Sequence, residues 1–156
     1  MRICSATFAA LGLAILVMPA AQGAGQQPAA VDELVARAKQ QVTRIDMAAF
    51  KAVLGRIAEH PQHALVIDVR EPDEFNTGHI PGAINIPRGV IEFRIWSYLG
   101  YPERTAMDTE LYLYCGWGSR SVLAASALQQ LGLARVVAVD MQLADWQAAG
   151  LPFTTP

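Results

Sequence analysis

Cysteine is scarce: the 156 residues hold only Cys4 and Cys115. That count leaves no disulfide framework to stabilise a small scaffold. Histidine is nearly as rare, and His60, His63 and His79 do not form a zinc-ligand pattern with Cys115. Charge is low and close to balance, with 17% charged residues, a formal net charge of −2 and a pI near 5.9. No basic surface is implied, so no nucleic-acid partner is expected. No internal repeat is visible. The unbroken apolar stretch Phe8–Met18 is too short to span a membrane comfortably. What is abundant is apolar content, at 53%, which suits one globular domain of this length.

Residues 1–23 have the order of parts of a secretory signal peptide. Arg2 supplies the positive end, Phe8–Met18 the apolar region, Pro19 the break and Ala21-Gln22-Gly23 the small residues of a cleavage site. Cys4 follows Arg2-Ile3 and lacks the setting of a lipoprotein cysteine. Export to a periplasmic or extracellular compartment is therefore expected, with no membrane span after cleavage. Cys115 is then the sole cysteine, and no internal disulfide can form. A lone thiol in an oxidising compartment is a liability unless it is used or buried.

The remaining chain divides into an N-terminal lead and helix over residues 24–41 and a domain over residues 42–153. Val31, Leu34, Val35, Ala38 and Val42 form a helical stripe. Asp46 can cap a second helix whose apolar face is Phe50, Val53, Leu54 and Ile57. Ala64–Val69, Ala83–Ile86, Leu111–Cys115 and Arg135–Val139 read as short apolar strands. Helices are expected over Val90–Leu99, Ser121–Leu131 and Leu143–Ala149, with a turn or short helix from Glu71. Apolar strands alternating with helices predict an α/β fold with a parallel sheet and helices on both faces. Ligands of such sheets sit beyond the carboxyl ends of the strands, where Cys115 falls.

Cys115 opens the run Cys115-Gly116-Trp117-Gly118-Ser119-Arg120-Ser121, between a strand end and a helix start. Unpaired backbone N–H groups converge at such a junction, and the helix dipole adds to them. Two glycines and a serine let the backbone curl around the sulfur. The setting suits a sulfur nucleophile acting on a small anion or a persulfide.

Three motifs together resemble the rhodanese family of thiosulfate and persulfide sulfurtransferases. They are Asp68-Val69-Arg70-Glu71-Pro72-Asp73-Glu74-Phe75, Gly78-His79-Ile80-Pro81-Gly82-Ala83-Ile84-Asn85-Ile86-Pro87, and the loop Cys115 to Arg120. Trp146-Gln147-Ala148-Ala149-Gly150-Leu151-Pro152 is similar to the family's usual end. The resemblance implies a five-stranded parallel sheet flanked by helices on both faces, with Cys115 as the catalytic persulfide carrier. It implies substrate contacts from Gly116, Trp117, Gly118, Ser119 and Arg120, with Asp68 and Arg70 behind them. Related phosphatases use a loop one residue longer, with arginine at the position held here by Ser121.

Two departures stand out. Many thiosulfate-using members have a basic residue after the cysteine, where this chain has Gly116. Met141-Gln142 replaces a common pair of glycines. Trp117 could wall the pocket or stand in solvent. Arg120 could bind the substrate anion or hold the loop. Asp68 could orient the loop or bond turn amides, and Arg70 and Glu74, four apart, are expected to pair. His79 is expected as a turn residue. Phe93, Arg94, Trp96, Tyr98 and Tyr101 are expected as core and rim, with Arg88 a candidate cation.

The function these features imply is an exported single-domain sulfurtransferase. It would move sulfane sulfur from thiosulfate or an organic persulfide to a thiol or cyanide through a Cys115 persulfide. No metal or organic cofactor is required. The acceptor thiol would belong to a small molecule or a protein. One alternative is a poorly catalytic sulfur carrier or binding module docking on a partner protein. Another is arsenate reductase or phosphatase-like activity on the same scaffold.

Overall fold

The computed structural model describes residues 28–61 and 64–155. The expected signal sequence, Cys4, the first part of the lead and His63 lie outside the described residues. Five strands form one parallel sheet: β1 (Thr43–Ile45), β2 (Ala64–Asp68), β3 (Ile84–Asn85), β4 (Glu110–Tyr114) and β5 (Val136–Val139), in the spatial order β1-β5-β4-β2-β3. The helices are α1 (Ala29–Gln41), α2 (Met47–Glu59), α3 (Pro72–Asn76), α4 (Ile91–Tyr98), α5 (Ser119–Gln130) and α6 (Leu143–Ala148), with a 3-10 turn at Arg88–Val90.

Alternation along the central strands builds two cores, because successive side chains leave opposite faces of a sheet. Leu111, Leu113 and Cys115 face a cluster with Ala38, Ile91, Ile95, Val122 and Leu128. Tyr112 and Tyr114 face the other, with Phe50, Leu143 and Trp146. Phe50 stands at the centre of that second cluster, its ring centroid 5.8 Å from Trp146 and 6.3 Å from Tyr114. Both faces of β2 and β4 are covered, which explains their nearly unbroken apolar sequences.

The alternating α/β architecture and its parallel sheet match the sequence expectation. β1 is a strand that sequence patterning missed. Its three residues are too few to show a period, and only pairing with β5 makes it a strand. Asp46 follows it and caps α2, with Oδ1 accepting the Ala49 N–H at 2.8 Å.

Three expectations are corrected. In α4, Ile91, Ile95 and Leu99 are spaced by four and are buried, while Phe93 lies off that stripe and is 81% exposed. Tyr98 and Tyr101 are exposed as well, so this segment places fewer aromatics in the core than expected. The helix expected over Ser121–Leu131 starts two residues earlier, at Ser119, and ends at Gln130, with Leu131 its exposed cap. The α1 stripe is buried only toward its end, at Ala38 and Val42, with Val31 and Leu34 exposed. Among the described residues, no helix is long and apolar enough to cross a membrane.

Candidate active site

Cys115 is the first residue beyond β4 and is almost fully buried, at 1% exposure. The Tyr114 carbonyl accepts the Val69 N–H at 3.0 Å, so the β2 and β4 ends remain paired up to the loop. Gly118 then caps α5 with φ +81°, a left-handed conformation that L side chains adopt only with strain. A Cβ there would also lie 3.1 Å from Asp140 Oδ1. Gly118 is thus required on two counts. Gly116 has no positive φ, and a Cβ on it would meet only Arg120 Nη2, at 3.8 Å.

Hydrogen bonds hold this loop from three directions. Leu143 donates its N–H to the Gly116 carbonyl at 3.0 Å. Ser121 Oγ donates to the Gly118 carbonyl at 2.8 Å and lies 3.9 Å from Cys115 Sγ, as the acceptor toward the thiol. Arg120 grips Glu74 on α3 with two parallel bonds, Nη1 to Oε2 at 2.6 Å and Nη2 to Oε1 at 2.7 Å. Among the described residues, none accepts the backbone N–H groups of Trp117 through Ser121. They are the orphan donors of a helix start.

The Glu74–Arg120 pair shapes the electrostatics. The Arg120 guanidinium, with help from the Glu71 N–H and the more distant Arg70, holds the Glu74 carboxyl down at about 2, against the opposing effect of burial. Glu74 in turn raises Arg120, and the thiol side of the site adds to that effect. Arg120 therefore holds the loop, the structural role of the two the sequence left open.

Asp68 and Arg70 form a separate buried pair. Asp68 is fully buried and accepts from the Arg70 N–H, Nε and Nη2, the last at 2.6 Å. Arg70 Nη2 also donates to the Gly78 carbonyl at 2.7 Å. Burial alone would lower the Arg70 pKa, but the hydrogen bond and charge of Asp68 outweigh it and raise it. The expected Arg70–Glu74 pair is replaced by Arg70–Asp68 and Glu74–Arg120. Helical spacing misled here because Arg70 precedes α3 and only Glu74 belongs to it. Asp68 and Arg70 tie β2 to the Gly78 turn behind the loop.

Trp117 is 72% exposed and stands in solvent, so it does not wall the cysteine. His79 lies 3.2 Å from the Phe75 carbonyl through Nδ1 and stacks on the Phe75 ring at 3.7 Å, as a turn residue. Met141 is buried beside Trp146, and Gln142 takes an extended conformation, so this turn needs no left-handed residue in place of the two glycines. Arg94 is exposed on α4. Arg88 lines a groove with Leu34, Leu123 and Ser126, its Nη1 3.5 Å from Glu92. Sequence reading missed Ser121 and Asp140. Asp140 follows β5 and accepts from Arg44 and, at 3.5 Å, from Lys39. Their only linear signal was position, one at the helix start and one at a strand end. Among the described residues no cluster could hold a metal ion.

The model of the rhodanese-like domain family matches residues 50–149. The chain belongs to that family. The match runs from Phe50 on α2 through the Cys115 loop to α6. Among relatives, a sulfurtransferase of Allochromatium vinosum is 30% identical over 95 residues, covering 61% of this chain and 82% of that protein. A putative sulfur carrier protein of Bacillus subtilis, YrkF, is 33% identical over 81 residues, covering 52% of this chain and 40% of that protein. The rhodanese-like fold also aligns with solved structures. A Rhodopseudomonas palustris protein described as a possible tyrosine phosphatase of unknown function is 26% identical, with a TM-score of 0.65 over 88% of this chain and 99% of that one. A rhodanese-like domain from Anabaena is 25% identical, with a TM-score of 0.60 over 72% of this chain and 79% of that one. The resemblance seen in the sequence motifs and the five-stranded fold it implied are both borne out.

Proposed function

We propose that this rhodanese-like protein is an exported sulfurtransferase that carries sulfane sulfur on Cys115. The observation that carries the proposal is the loop itself. The buried Cys115 thiol follows β4, and the backbone N–H groups of Trp117 through Ser121 have no acceptor among the described residues. Such donors can stabilise negative charge on a terminal sulfur, in the manner of an oxyanion hole. The Cys115 thiolate attacks the outer sulfur of an organic persulfide anion. The S–S bond of the donor breaks, the donor leaves as a thiolate, and Cys115 becomes a persulfide anion. With thiosulfate the leaving group is sulfite. An acceptor thiolate or cyanide then attacks the outer sulfur and Cys115 departs as thiolate, which gives ping-pong kinetics.

Several observations favour an organic persulfide over thiosulfate. Gly116 brings no cation, and Arg120 is already held by Glu74. Relatives named as a sulfurtransferase and a putative sulfur carrier support sulfur chemistry in general. A phosphatase reading meets Ser121 where the longer loop has its arginine. The order of parts in residues 1–23 supports export to the periplasm or outside the cell.

Intact-mass spectrometry after exposure to glutathione persulfide tests the chemistry. The wild-type chain should gain the mass of one sulfur atom and lose it again on addition of a thiol. No gain in mass would defeat the proposal. Repeated turnover would mark an enzyme, whereas a single loading without release to small thiols would mark a carrier that needs a docked partner.

A further inference from the structure

The cations of the loop and of the Asp140 cluster beside it are paired with carboxylates. Glu74 takes both ends of Arg120. Asp140, whose Oδ1 lies 3.1 Å from where a Cβ on Gly118 would stand, takes Arg44 and Lys39. The Arg120 guanidinium is close to the reacting end of the loop. Its Nη2, the atom bonded to Glu74 Oε1, is also the atom 3.8 Å from a Cβ placed on Gly116, the residue after Cys115. A cation that could face a donor anion is therefore present and engaged elsewhere.

Glu74 is well placed to keep it engaged. It sits on α3, and its Oε2 also accepts the Glu71 N–H at 3.2 Å, which fixes the carboxylate toward the loop. The pair is two-thirds buried at the mouth, with side chains 32% and 38% exposed, so solvent screens it only in part. The low pKa of Glu74 keeps it ionised at any working pH.

We infer that Glu74 is the positioning residue that sets donor charge: by occupying Arg120 it withholds the loop's cation and favours monoanionic persulfides over dianionic thiosulfate. The inference rests on the sulfur-transfer reading above and adds a specificity determinant outside the Cys115 loop. Glu74 touches no substrate; it acts through Arg120.

The test compares kcat/KM for thiosulfate and for glutathione persulfide in wild type, Glu74→Gln and Glu74→Asp. Glutamine keeps the shape and an acceptor oxygen but removes the charge. The thiosulfate-to-persulfide ratio should rise on the order of tenfold in Glu74→Gln, the worth of one charge-assisted hydrogen bond. It should stay near wild type in Glu74→Asp. Activity of Glu74→Gln toward thiosulfate should also fall more steeply with added salt than that of wild type, since an unpaired cation is screened. Adding Arg120→Gln to Glu74→Gln should reverse the gain. An unchanged ratio in a folded Glu74→Gln that still accepts persulfide sulfur would overturn the inference and leave the sulfur-transfer reading intact. So would an equal rise in Glu74→Asp. Failure of wild type to accept sulfur from either donor would overturn both.

Discussion

Ser121 Oγ lies 3.9 Å from Cys115 Sγ and donates to the Gly118 carbonyl at 2.8 Å, joining Cys115 to the first turn of α5 through one hydroxyl. The residue is fully buried, so this bond has no water to replace it. Ser121→Ala should cost about 0.5–1.5 kcal/mol, the net worth of one hydrogen bond, because the Gly118 carbonyl keeps the Val122 N–H and loses only the hydroxyl donor. Urea unfolding measures the loss, and a stability equal to wild type would count against the link.

Cys115→Ser should abolish sulfur loading while leaving the fold intact. The substitution is nearly isosteric, and a serine hydroxyl is a poor nucleophile without an adjacent base. Intact mass and far-ultraviolet circular dichroism check the two halves. Transfer comparable to wild type in the variant would falsify the persulfide mechanism.

The two loop glycines should respond differently to alanine. At Gly118 the left-handed φ of +81° and the 3.1 Å approach to Asp140 should make alanine cost about 1–3 kcal/mol. At Gly116 the nearest atom to a new Cβ is 3.8 Å away, so alanine should change stability by less than about 0.5 kcal/mol. Thermal unfolding of both variants gives the comparison, and equal losses would refute it.

The same open space makes Gly116→Arg a feasible gain of charge beside the sulfur. Its kcat/KM for thiosulfate should rise roughly 10-fold, with a smaller change for an organic persulfide. Equal changes for both donors would show that loop charge does not set the preference.

Asp68→Ala should be severe for stability. It leaves the Arg70 guanidinium buried without its carboxylate, at a cost of about 3–5 kcal/mol. Low yield or a lowered midpoint in denaturant is the expected readout. Near-wild-type stability would mean that water or the Gly78 carbonyl alone satisfies Arg70.

Acid should loosen the loop at a definite place on the pH scale. Glu74 drops from its ordinary 4.5 to about 2 on folding, chiefly through its hydrogen bonds to Arg120. A depressed carboxyl contributes stability that is full above 4.5 and disappears as pH falls toward about 2. The stability difference between wild type and Glu74→Gln should therefore shrink across that interval and vanish below it. A difference that does not vary with pH would remove Glu74 as its source.

Periodicity made the apolar strands legible, because β2 and β4 are covered on both faces and need apolar residues throughout. Local chemistry likewise marked the Asp46 cap of α2, since a cap is set by one or two residues. The run from Cys115 to Arg120 marked the candidate site, because a strand end and a helix start lie next to each other along the chain.

The charge state of that site was decided only by tertiary structure. Glu74 and Arg120 are 46 positions apart, and Arg44 and Asp140 are 96 apart. No local period reports on such pairs. Spacing by four suggested Arg70 with Glu74, but the sheet brought Arg70 to Asp68 and α3 turned Glu74 toward the loop. The linear order thus determined which residues could carry the chemistry. Packing of α3 and β5 around the loop determined which charges remain available to a substrate, because hydrogen bonding depends on distance in space, not along the chain.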